Sequence, residues 1–100
     1  MESRLNESEK EELRLQRFVN KYKDKSMGEI VYMTLELKQS EMYSYEITLL
    51  DIIRSGISEK LSVGMLVSRQ IVLERLIENN SPEKEILNEY LQKVLTLLRR

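Results

Sequence analysis

The stretch from Ser58 to Asn79 holds the densest apolar run in the chain, and it constrains the fold more than any other segment. Leu61, Met65, Val72 and Leu76 fall along one face of a helix, and Leu66, Leu73 and Ile77 share the neighbouring face. Val63, Val67 and Ile71 widen the stripe, so the apolar arc covers most of the circumference. A helix of that kind is buried on several sides. Burying one Leu or Ile side chain contributes about 1.5–3 kcal/mol, so this element should supply much of the hydrophobic stabilisation. The spacing predicts a central helix over 58–79, with the Ser58 hydroxyl as its N-cap and Asn79-Asn80 as its end. Ser81-Pro82 then reads as the cap and proline that start the next helix.

Gly64 interrupts this run. A glycine inside a helix costs about 1 kcal/mol relative to alanine. Either a neighbouring helix approaches closely there, or the chain turns.

If the chain turns, Leu66-Val67-Ser68-Arg69-Gln70-Ile71-Val72-Leu73-Glu74-Arg75-Leu76 resembles the recognition half of a helix-turn-helix. The resemblance makes Ser68 the cap of the second helix. It turns Arg69 and Gln70 toward base edges, where Arg suits guanine and Gln suits adenine. Ile71, Val72 and Leu76 become the anchors, and Ile57 to Leu61 supply the first helix. The sequence departs from the pattern in the turn, where Leu66 replaces the usual glycine. One continuous core helix is therefore the first expectation, and a helix-turn-helix over 57–78 the alternative.

Composition narrows the function classes. Of 100 residues, 41% are hydrophobic and 33% charged, which is the balance of a folded chain large enough for one domain, 1–100. A formal net charge of −1 argues against coating nucleic acid by bulk charge and leaves room for a local basic patch. Cysteine and histidine are both absent. That removes disulfides, thiolate metal sites, the commonest general base and the commonest transition-metal ligand. No phosphate-cradling glycine loop or nucleophile elbow occurs. The carboxylate pairs Glu7–Glu11 and Glu85–Glu89 lack the histidine of a di-iron site and read as solvated charges. The expectation is a chain that is not an enzyme, with no cofactor and no metal. Met1 to Glu12 has no apolar signal core, and no apolar run approaches the roughly 20 residues of a membrane helix. A cytoplasmic location without membrane contact is expected.

The flanking segments also read as helices. Over 7–24, acidic residues crowd the start and basic residues the end, as the helix dipole prefers. Leu15, Phe18, Val19 and Tyr22 make a narrow apolar stripe. Lys10, Arg14, Arg17, Lys21 and Lys25 follow steps of three or four residues and form a basic row. The row is a candidate phosphate-binding or acid-docking face. Its plainer reading is a solvated surface, with Glu7 and Glu11 pairing to Lys10 and Arg14. Ser26 to Glu29 forms a capping box that opens a helix over 27–38, although Ile30 to Lys38 also fits a strand. A third helix, 43–55, stops at Ser55-Gly56. Tyr43 and Tyr45 near its start suit hydrophobic staples better than base stacking.

The last helix, 82–98, presents a wide apolar face. It is wider than one neighbour requires, so Tyr90, Leu91, Leu95 and Leu98 are candidates for cover by another chain. The competing reading is a helix buried on two sides within its own chain.

The sequence thus predicts an all-α fold, a compact bundle of about five helices around a central fourth. The function it favours is a non-catalytic interaction module. Such a module would be a small accessory subunit docking on a larger protein, for instance in a nucleic-acid-processing assembly, or on itself as a homo-oligomer. The alternative is a DNA-binding regulator reading bases through Arg69 and Gln70, with Ser68 as the cap and the Lys10–Lys25 row on phosphate.

Overall fold

The computed structural model describes residues 6–35, 44–79 and 81–100. Five helices follow in order: α1 (Glu7–Tyr22), α2 (Met27–Leu35), α3 (Ser44–Ser55), α4 (Val63–Glu78) and α5 (Lys84–Leu98). There is no strand among the described residues. The all-helical bundle expected from the sequence is what forms.

Local chemistry sets most of the boundaries. The Asn6 side chain accepts from the Glu9 amide at 2.8 Å and caps α1. The helix ends at Tyr22, with the Lys23 amide still bonded to Val19, so the 7–24 expectation runs two residues long. Ser26 accepts from the Glu29 amide at 3.2 Å, which is one half of the capping box, and the following segment is helix rather than strand. The expected residues 36–38 of that helix, Tyr43 and Asn80 lie outside the described residues. Gly56 adopts a φ of 69°, the left-handed conformation that ends a helix, as its place after Ser55 implied.

Two helix starts are corrected. The fourth helix does not begin at Ser58. Residues 58–61 form a tight turn, closed by the Leu61 amide on the Ser58 carbonyl at 3.2 Å. The cap is Ser62, whose hydroxyl accepts from the Met65 amide at 3.3 Å. Both serines offer a capping hydroxyl ahead of the apolar run; Ser58 is used in the turn. The fifth helix does not begin at Pro82. The Ser81 carbonyl accepts from the Lys84 amide at 3.2 Å, which makes a further turn before α5 starts at Lys84.

The core draws on every helix. Phe18 and Tyr22 of α1 meet Leu49 and Ile52 of α3, Leu73 and Leu76 of α4, and Val94 of α5 within one buried cluster. α4 packs on α5 and on α3 and also touches α1. The C-terminal end of α5 returns beside the start of α4, where Arg100 pairs with Glu59 at 3.4 Å. The two helices are therefore antiparallel.

The apolar arc of α4 is only partly buried. Leu66, Val72, Leu73 and Leu76 are in the core, and Leu61 and Ile77 pack against it. Val63, Met65, Val67 and Ile71 are exposed, against the expectation that the wide arc is buried on several sides. The helix neighbours cover one side of α4 and leave the opposite side to solvent.

Candidate docking surface

The basic row of α1 is largely engaged by carboxylates. Lys10 pairs with Glu7 at 3.7 Å and Arg14 with Glu11 at 2.9 Å, both three residues apart on the helix. Lys21 reaches Glu46 of α3 at 3.4 Å and lies 5.3 Å from the centre of the Tyr22 ring. Arg17 is exposed, and Lys25 lies beyond the helix end and is half-buried. The row is thus interleaved with acid and does not form a continuous cationic strip.

Tyr45 joins the same surface from α3. Its ring sits 5.9 Å from that of Phe18, and its hydroxyl donates to the Glu11 carboxylate. That hydrogen bond, helped by Arg14, holds the Glu11 carboxyl below its ordinary range. Burial, then the bond to Glu11, pushes the Tyr45 phenol up to about 12. The ring is half-buried and packs against Phe18.

The residues expected to read DNA are arranged otherwise. Ile57 to Leu61 is not a helix, and α4 runs unbroken through Gly64 to Val67. Ser68 donates to the Gly64 carbonyl at 3.1 Å, and Gln70 donates to Glu74 at 2.9 Å. Arg69 is only 6% exposed, donates to the Met65 carbonyl at 3.3 Å, and leaves its Nε buried without a partner. All three side chains turn back onto α4. Arg69 falls in the middle of the buried arc because three- and four-residue steps link it to Leu66, Val72 and Leu73.

The face expected for a partner on α5 is used within the chain. Leu91 is buried, and Tyr90, Leu95 and Leu98 are half-buried against the core. α5 packs chiefly on α4, and these side chains cover the core from that one side.

The open apolar surface lies instead on α4. Val63, Val67 and Ile71 recur every four residues and form one stripe, with Val63 68% exposed. Gly64 and Ser68 run beside it, and Glu74 and Glu78 end it. At its C-terminal end the stripe meets a cleft between α1 and α4 lined by Glu11, Glu12, Ile71 and Glu74. Arg75 closes that cleft by a two-pronged bond to Glu12, at 2.7 and 3.3 Å, which raises its guanidinium pKa further.

No protein-family model, curated protein or solved structure matches this chain. The surface must speak through its own chemistry. Among the described residues no cluster of His, Cys, Asp or Glu could hold a metal ion. No helix of the described residues is long and apolar enough to cross a membrane.

Sequence reasoning had counted the stripe into the core. One signal could have corrected it. Gly64, Ser68, Glu74 and Glu78 share its side of the helix, and a helix buried all round would not carry two carboxylates there.

Proposed function

We propose that this chain is a non-catalytic helical interaction module that docks on another polypeptide through the outer face of α4. The single observation behind the reading is the stripe of Val63, Val67 and Ile71, exposed at four-residue spacing on the side of α4 turned away from the core. Helix faces of this kind are a common means of protein recognition, because anchors three or four residues apart enter one groove. The arrangement of Arg69 and Gln70 on α4 favours this reading over base recognition.

The test compares the wild-type chain with Val67→Asp. The variant keeps its helical circular dichroism, because Val67 is exposed. Wild-type protein forms a defined complex, seen by light scattering on the purified chain or by titration with a candidate protein, and the variant does not. A wild-type chain that binds nothing, or a complex untouched by the substitution, refutes the module.

A further inference from the structure

Resting on that docking face, we infer that its occupant is a second copy of this chain, with two α4 helices side by side and antiparallel about a two-fold axis at Val67. Three features of the surface lead to this occupant.

The stripe is symmetric in its own sequence. Val63 and Ile71 lie four residues to either side of Val67. A two-fold at Val67 therefore places Val63 of one copy on Ile71 of the other and Val67 on Val67. Every apolar anchor then meets an apolar anchor, as an isologous interface requires.

The dipole of α4 is only partly matched by its charges, since Arg75 stands in its last turn but no acid stands in its first. Glu74 and Glu78 stand near its C-terminal end. Exposed Lys60 precedes its N-terminus. Acids favour helix N-termini and bases favour C-termini. An antiparallel second copy reverses the mismatch. Lys60 lies in the turn just before α4 and Glu74 lies seven residues after Val67, so the two-fold brings Glu74 of one copy to the N-terminal end of the other, where Lys60 stands. That end is the positive pole of the helix dipole. A parallel pair would set like ends together.

Space along the stripe allows close approach. A Cβ added to Gly64 would meet nothing within 4 Å. No contact inside the chain therefore requires a glycine there. The Ser68 hydroxyl is bonded back to Gly64 and presents a low, smooth edge.

A single helix pair falls at the small end of stable interfaces, below about 1,200 Å². Sedimentation equilibrium is therefore run up to about 1 mM chain. The wild type is expected to reach a dimer, and Val67→Asp to stay monomeric with unchanged circular dichroism. Lys60→Glu or Glu74→Lys alone weakens the dimer by roughly 2- to 30-fold across two symmetric pairs, and the two together restore it. The chain has no cysteine of its own, so cross-linking is clean. Mixed Val63→Cys and Ile71→Cys chains should give mainly the mixed disulfide. Val63→Cys joined chiefly to itself, or a charge-swapped double variant no better than the singles, overturns the antiparallel pair. A strict monomer overturns it too. If that monomer still binds a different protein and loses it on Val67→Asp, docking through α4 stands and only the second copy is excluded. If the face matters to neither, both readings fall.

Discussion

The Tyr22 hydroxyl donates to the Glu46 carboxylate and ties α1 to α3 inside the core. Glu46 is only 2% exposed, and Lys21 brings its ammonium to 3.4 Å. A buried carboxylate needs such partners, because desolvation of the charge is otherwise uncompensated. Tyr22→Phe should lower stability by about 1–3 kcal/mol, the cost of leaving a buried acceptor short of a donor. Urea unfolding measures it. Glu46→Gln, which keeps an acceptor, should lose less. Equal losses would show that charge, and not the hydrogen bond, governs this contact.

The two carboxylate-bonded phenols also bear on the alkaline limit. Burial and their carboxylate partners raise both Tyr22 and Tyr45 above the ordinary tyrosine value of 10.0, Tyr45 to about 12. Each holds its proton more firmly folded than unfolded. Their contribution is therefore fully present below about pH 10 and is lost as pH rises through the folded values. The thermal midpoint should fall between about pH 10 and 12, and Tyr45→Phe should make that fall shallower. An unchanged slope would remove Tyr45 from the account.

Glu12 and Arg75 join α1 to α4 at the surface, at 2.7 Å. Both side chains are substantially solvent-exposed, so water and salt screen the pair. Glu12→Ala should cost no more than about 1 kcal/mol. The cost should shrink further in 0.5 M salt, where the Debye length is only a few ångströms (about 4 Å). A loss comparable to that of Tyr22→Phe would contradict this.

Arg69 is a buried guanidinium whose Nε has no partner. Arg69→Met keeps much of the aliphatic bulk and removes the buried polar atoms. Stability should rise by about 1–3 kcal/mol, as it can when buried charge is replaced by a well-packed apolar group. Denaturant midpoints of the two chains decide it. A destabilised variant would mean that Arg69 is better satisfied than its hydrogen bond to Met65 indicates.

Two glycines should respond in opposite directions. Gly64→Ala meets no neighbouring atom and should stabilise the isolated chain by up to about 1 kcal/mol. Gly56→Ala forces an L side chain into a positive φ and should destabilise by about 1–2 kcal/mol. Thermal midpoints under dilute conditions separate the two.

Periodicity and local capping made the helices legible. Ser26 and Gly56 act on backbone groups within a few residues, so their roles follow from neighbouring sequence alone. The apolar stripe of α1 and the pairing of Glu7 with Lys10 and of Glu11 with Arg14 follow from the same short range. The start of α4 was less legible, because Ser58 and Ser62 offer the same hydroxyl and only the turn at 58–61 distinguishes them.

The candidate surface needed the tertiary fold. A hydrophobic residue carries the same transfer free energy wherever it stands; which neighbour covers it depends on packing between distant segments. Leu91, Leu95 and Leu98 read as surplus over one neighbour; Leu91 is buried, and Leu95 and Leu98 are partly buried against the core. Val67 and Ile71 looked like core and are open because no described helix crosses that side. The sequence by itself determined that this chain is helical and where its oily stripes run. Only the packing of α3, α4 and α5 decided which stripe was left facing water.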